Sequence, residues 1–351
     1  MDIAPIDEFS SAQISLRVFG KINLFLQVDG VESNGYHKLL TVFQPVDLYD
    51  DVHLSLRSSG DCHLVRYAGR VCGTNIFGDK DLCIRALNIF LDKYRAEVDS
   101  NCSDYFDIFV NKMIPVQGGM AGGSVDAAGV LRLLNEYYGF PFNTVTLEEL
   151  AARLGADVPF GVRNVLSVGN RYGDVIEPLE LPSCSDSNGI FPVEEYCWLL
   201  ILNKVGLSTP DVFAELDRLY ALNDGVEKGV SGGDCASFCA DGLGGVSDKK
   251  KDIVCLKQDI VFAYRDSYSL AKEIRNDLEI AALSLYPKLS HILVEGIRGG
   301  ALRGFISGSG PTCVLLCESE SKAEQIRQYL ANIDYLSDVI DEMLVVSNVS
   351  L

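Results

Sequence analysis

Positive charge is scarce beside negative in this chain, with 30 lysines and arginines against 49 aspartates and glutamates and a net charge of −19. Broad binding to nucleic acid or to anionic membranes needs a basic field, so both are excluded as expectations. Long apolar runs are missing too. The longest, such as residues 196–202, are strand-length and far too short to span a bilayer. Histidine is rare, four in all, and none lies near a cysteine pair at finger spacing, which speaks against structural zinc. The eleven cysteines are odd in number and scattered through apolar segments, without the spacing of a disulfide framework. Cys313 and Cys317 bracket Val-Leu-Leu and are expected to pack as small buried hydrophobes. The first ten residues carry Asp2, Asp7 and Glu8 and no basic residue, so no secretory leader is expected and a reduced, cytoplasmic setting is. Neither a Walker A loop nor Gly-x-Gly-x-x-Gly occurs; Gly20-Lys21 is followed by Ile22.

What the chain does have is residues 115–128, Pro-Val-Gln-Gly-Gly-Met-Ala-Gly-Gly-Ser-Val-Asp-Ala-Ala. Four glycines in six positions, Gly118, Gly119, Gly122 and Gly123, let backbone N–H groups converge, and the helical pattern that follows adds its unpaired amides and dipole. Together they make a phosphate cradle that starts at Pro115. Ser124 can cap that helix or touch a phosphate or Mg²⁺, and Asp126 reads as a dipole-favouring surface charge.

Four further segments carry chemistry. Asp157, in Leu-Gly-Ala-Asp-Val-Pro-Phe, reads either as the N-cap of a short helix or as the carboxylate that orients a hydroxyl for phosphoryl transfer. Lys21 lies in a strand and shares a face with Asn23; it is an edge charge or a cation that offsets charge on a transferred phosphoryl group. Asn34-Gly35 is a hairpin turn, and Tyr36-His37 after it offers a stacking face and a donor–acceptor edge for a planar base. Ser307-Gly308-Ser309-Gly310-Pro311 is a tight turn, or a second set of amides for phosphate.

The spacing predicts strands over 14–28, 39–46, 51–56, 106–112, one or two within 161–176, 198–202, a strand, glycine turn and second strand over 305–317, and a helix and final strand that close the chain. It predicts helices over 81–94, 125–138, 146–154 with a Thr146/Glu149 capping box, 210–222, 268–285 and 288–296. This grouping is α+β rather than doubly wound. Residues 180–195 read as an inter-domain connection, giving domains 1–179 and 196–351, and the glycine-rich residues 223–251 as a flexible insertion.

Lys21-Ile-Asn-Leu, residues 115–125 and 307–311, in this order, resemble the GHMP small-molecule kinase superfamily. Asn34–His37, residues 154–160, Gly206-Leu-Ser-Thr-Pro and Asn276-Asp-Leu-Glu279 narrow the resemblance, which runs over roughly 14–316. It implies a ribosomal-protein-S5-like catalytic domain, a ferredoxin-like second domain, ATP and Mg²⁺ as cofactors, and no resident metal site. The activity implied is phosphorylation of the 2-hydroxyl of 4-diphosphocytidyl-2-C-methyl-D-erythritol in the non-mevalonate isoprenoid route. Asp157 is then the catalytic base and Lys21 its electrostatic partner. Asn23, Tyr36 and His37 hold substrate, with Tyr36 and Phe213 sandwiching the cytosine. Pro115 through Ser124 wrap the ATP phosphates, Lys112 lies near the nucleotide, and Gly308, Ser309 and Gly310 line the cleft. The implied partner is a small molecule with a cytidine diphosphate group, met by a monomer or weak homodimer. Departures from the family are Met120-Ala121 for Leu-Gly, Val125 for a second Ser, and Asp81 for an Asn that seats adenosine, unless Asn75 replaces it. The alternatives are a homoserine- or mevalonate-type kinase and a non-catalytic nucleotide-binding regulator.

Overall fold

The computed structural model of the protein describes residues 13–57, 62–70, 80–181, 195–224 and 250–349. Most of the expected insertion 223–251, most of the connection 180–195, Asn75 and the first ten residues lie outside them.

The chain forms two compact units that interleave in sequence. The first takes the chain up to Gly20, Leu48–Val116 and Ala121–Asn164, and the second Lys21–Asp47, Gln117–Met120 and Val165–Leu351. This differs from a single cut at 180–195. Two long strands, β1 (Gln13–Val31) and β2 (His37–Leu56), each supply residues to both units, and β2 runs unbroken where two strands were expected.

In the first unit Asp51–Leu56 of β2 pairs antiparallel with β4 (Phe106–Lys112), which pairs parallel with β3 (Leu64–Gly69). Helices α1 (Leu82–Glu97), α2 (Gly122–Tyr137), α3 (Thr144–Ala152) and α4 (Val158–Arg163) complete it. Val130, Leu131 and Leu134 of α2 are fully buried, as their helical spacing predicts, and Tyr138, expected on the same side, is half-buried just past the helix end. Asp81 caps α1 by accepting from the amides of Cys83 and Ile84. Asn143, not Thr146, caps α3: the Thr146 amide is the donor that Asn143 satisfies, so the helix begins earlier than the Thr146/Glu149 pair suggests. The segment from Gly161 starts as the end of α4 and becomes strand only at Ser167.

In the second unit β1 pairs parallel with β8 (Arg275–Asn276), and Thr41–Phe43 of β2 pairs antiparallel with β5 (Ser167–Asn170), itself paired with β6 (Val175–Pro178). The expected helix 268–285 is cut by β8 into α7 (Ser267–Glu273) and α8 (Glu279–Leu285). The Asp277 amide donates to the Leu26 carbonyl and its carboxylate accepts from the Val28 amide, so pairing with β1 outcompetes helix there. A second, antiparallel sheet runs β11 (Ile340–Ser347), β7 (Cys197–Asn203), β10 (Cys313–Cys317), β9 (Arg303–Ile306). Helices α9 (Lys288–Arg298) and α10 (Glu320–Ala331) bury Leu289, Ile292, Leu293 and Ile326 with Leu199, Ile201 and Leu315 of that sheet. Truncating one such leucine to alanine costs about 2–5 kcal/mol. Cys313 and Cys317 are buried as expected, and burial pushes the Cys317 thiol up to about 12. The remaining helices are α5 (Thr209–Asp224) and α6 (Ile253–Ala263).

Candidate active site

Lys21 is not an edge charge. It is 3% exposed, and its ammonium donates to Asn23 Oδ1 at 2.6 Å and to the Gly119 carbonyl at 2.8 Å, while its amide donates to the Met120 carbonyl. The two-residue strand period puts Lys21 and Asn23 side by side, and Asn23 Nδ2 is anchored on Thr41 Oγ1. Gly119 has φ +74°, and a Cβ there would stand 2.2 Å from the Ser307 carbonyl oxygen, so only glycine fits. The Ser307 hydroxyl donates to the Gly119 carbonyl at 3.1 Å, and a Cβ at Gly308 would lie 3.2 Å from Lys21 Nζ. The second unit thus gathers Lys21, Asn23, residues 117–120 and residues 307–310 around one ammonium group.

Sequence reasoning noted Asn276 only as part of a motif. Its carboxamide donates to the carbonyls of Ile306 and Gly308 at 2.8 and 2.7 Å and accepts from the Leu278 amide, so it moulds the 307–310 turn. The hydroxyls of Thr209 and Ser309 are 2.9 Å apart. The Asn34-Gly35 turn forms within residues 32–36 as expected, with Gly35 at φ +82°. Tyr36 beyond it is 63% exposed and leans on Tyr172, ring centroids 5.4 Å apart. His37 stacks on Phe213 at 4.6 Å, and its Nε2 lies 2.8 Å from Asp217 Oδ1, one turn further along α5. In this structure Phe213 therefore stacks on His37.

In the first unit α2 begins at Gly122, directly after Ala121 in the left-handed region. No side chain caps it, and Ser124 sits in its first turn, not at the cap, because the glycine pair lets the helix start two residues earlier. First-turn amides with no intrahelical partner, exposed Gly123 among them, and the positive dipole end are what a phosphate group needs. Asp126, expected at the surface, is 1% exposed, and Lys112 is 3% exposed. Lys112 donates to Asp50 Oδ2 and to Asp126 Oδ2, both at 2.5 Å. Burial pushes the Asp126 carboxyl well above the usual carboxylate range; burial also opposes the Lys112 charge, but the two carboxylates outweigh it and raise its pKa. A signal for Lys112 was available: Phe106, Ile108, Val110 and Lys112 share the buried phase of β4. Asp50 shares the buried phase of β2 with Leu48, Val52 and Leu54. Asp157 stands at the N-cap position of α4, half-buried, and makes no capping hydrogen bond with its side chain, so the capping role is not the one it plays.

Asp81 is buried as a helix cap and accepts from the Tyr67 hydroxyl at 2.7 Å. Among the described residues no group of three or more His, Cys, Asp or Glu side chains is placed to hold a metal ion, and no helix is long and apolar enough to cross a membrane.

Two family models match the chain, the GHMP kinases N terminal domain over residues 81–166 and the GHMP kinases C terminal domain over residues 256–335. With the two-unit α+β architecture they define a two-domain kinase of the GHMP class. The 4-diphosphocytidyl-2-C-methyl-D-erythritol kinase of Mycolicibacterium smegmatis is 34% identical over 323 residues, covering 92% of this chain and 87% of its own. That of Rhodococcus jostii is 35% identical over 320 residues, covering 91% and 88%. The chain belongs to the 4-diphosphocytidyl-2-C-methyl-D-erythritol kinase family. A crystal structure of 4-(cytidine 5'-diphospho)-2C-methyl-D-erythritol kinase shares the fold, with a TM-score of 0.66 at 22% identity over 96% of this chain and 100% of that one. An L. major mevalonate kinase in complex with R-mevalonate matches at 0.63 and 15% identity over 98% of each chain.

Proposed function

We propose that the protein transfers the γ-phosphoryl group of ATP to the 2-hydroxyl of 4-diphosphocytidyl-2-C-methyl-D-erythritol, as the names of its relatives suggest for them. The observation that carries this reading is the buried Lys21 ammonium, set against two glycine-bearing loops, 117–120 and 307–310. In a loose phosphoryl-transfer transition state little covalent chemistry is left to the protein, so positioning and charge do most of the work. Lys21 offsets the negative charge of the reacting groups. Asp157 orients the substrate hydroxyl and takes its proton, the role a carboxylate plays in phosphoryl transfer to an alcohol. The first-turn amides of α2 and the backbone from Pro115 hold the phosphates, with Gly118, Gly119, Gly122, Gly123 and Ser124 as the contact residues. Asn23, Tyr36, His37 and Phe213 hold the acceptor, with its cytosine against aromatic faces, and Gly308, Ser309 and Gly310 line its phosphorylated end. Mg²⁺ would arrive with the triphosphate, the Ser124 hydroxyl is the protein oxygen that would hold it, and it would neutralise phosphate charge.

The test is ATP consumption with Mg²⁺ and 4-diphosphocytidyl-2-C-methyl-D-erythritol by wild type, Asp157→Asn and Lys21→Met. The wild type is expected to turn over, Asp157→Asn to lose about 10²–10⁴ in kcat, and Lys21→Met about 10²–10³. Phosphorylation of homoserine or mevalonate in place of this substrate would overturn the assignment. ATP binding without turnover of any acceptor would make the protein a nucleotide-binding regulator.

A further inference from the structure

The first unit buries three ionisable side chains next to the residues that enter and leave the glycine loop. Asp50 on β2, Lys112 at the end of β4 and Asp126 on α2 have side chains no more than 4% exposed. Asp50 divides its two oxygens. Oδ2 accepts from Lys112 Nζ, and Oδ1 accepts from the amides of Met113 at 2.5 Å and Ile114 at 2.8 Å, the last residues before the loop. Lys112 then reaches the far end of the same loop. It donates to Asp126 Oδ2 in the opening turns of α2, and its Nζ lies 3.2 Å from where a Cβ at Gly122 would be. That same Cβ position is 3.0 Å from Ile114 Cγ2. The residues entering and leaving the loop are therefore joined through one ammonium group. Asp126 Oδ1 is buried and makes no hydrogen bond of its own.

We propose that Asp50, Lys112 and Asp126 form a positioning device that sets the span of the glycine loop, so that its amides converge on the phosphates of ATP. Asp50 acts through Lys112 and through the Met113 and Ile114 amides and touches no substrate. The inference rests on the kinase reading above, in which this loop takes the triphosphate.

The test uses Asp50→Asn and Asp126→Asn in the full chain. The carboxamide introduced by Asp50→Asn keeps an oxygen for the two amides but turns an NH₂ group toward the Lys112 ammonium, donor against donor. Binding of ATP with Mg²⁺ and of AMP is measured by calorimetry, alongside KM for each substrate and thermal melting. Both variants are expected to bind ATP about tenfold more weakly, with AMP affinity and the acceptor KM within about twofold of wild type. A structural role alone would lower the melting temperature and leave that difference between ATP and AMP absent. ATP affinity within twofold of wild type in the folded variants, or a parallel loss of ATP and AMP, would overturn the inference while leaving the kinase reading standing. Should Asp50→Asn not fold, Asp126→Asn decides on the same criteria. A wild type that binds no ATP would overturn both.

Discussion

At the scale of single residues, the site is built from side chains whose neighbours come from far along the chain. Lys112, which the family resemblance puts near the nucleotide, donates to two carboxyl groups, one of them 62 residues away. Strand alternation points inward for Lys112 on β4 and for Asp50 on β2, in phase with Leu48, Val52 and Leu54, but it does not say that the two meet. Lys21 and Asn23 were legible as a pair because a strand repeats every two residues. Gly119 was legible as glycine in a cradle, but its reason is the Ser307 carbonyl at 2.2 Å from the missing Cβ, a long-range contact. Gly119→Ala is accordingly expected to destabilise the protein by at least about 1–3 kcal/mol, from positive φ alone, and to impair ATP binding. Urea denaturation and calorimetry check this; an alanine variant as stable as wild type would mean that the turn at 307–310 yields freely.

Elements were read most reliably where one periodicity ran long, as in α1, α2, β4 and α5, and least where two local preferences competed. The stretch 268–285 is helical in composition, but two residues are captured by β1 as a parallel strand, and no local pattern announces a two-residue strand. Helix starts shifted for a similar reason, since the residue that caps is the one whose backbone turns extended, as Asn143 does. Contacts between elements also carry pH dependence. Glu215 on α5 is held down at about 2, from an ordinary value of 4.5, by its hydrogen bonds from Arg218 and then from Ser284 on α8. A carboxylate with a lowered folded-state pKa contributes stability above its ordinary value and loses it as the pH falls toward about 2. Wild type should therefore be slightly more stable than Glu215→Gln at pH 6, with the difference fading below about pH 4.5 and gone near 2. Urea midpoints of the two proteins across that range test the sign, and a difference that grows on acidification would contradict it.

For the whole molecule, the net charge of −19 is the dominant feature. Self-repulsion of that size opposes folding, and salt screens it, the Debye length falling from about 30 Å at 0.01 M to about 8 Å at 0.15 M. The melting temperature is expected to rise by about 2–4 °C between roughly 10 and 300 mM NaCl, the shift that ~1 kcal/mol produces in a domain of ordinary size. A melting temperature that falls with salt would show that attractive ion pairs, such as Lys251 with Asp259 and Glu273, outweigh the repulsion.

By itself the sequence determined the class of structure, the order of the motifs and the chemistry they can support, because periodicity, glycine spacing and charge act locally and are written in neighbouring residues. The tertiary structure alone decided that Lys21 is buried rather than on an edge, that Asp126 is an internal ion-pair partner rather than a surface charge, that Asp50 binds both Lys112 and the loop's leading amides, and that Asn276 moulds the 307–310 turn. Each of these depends on which atoms meet across tens or hundreds of residues, where hydrogen-bond geometry and desolvation take effect only once the chain has folded.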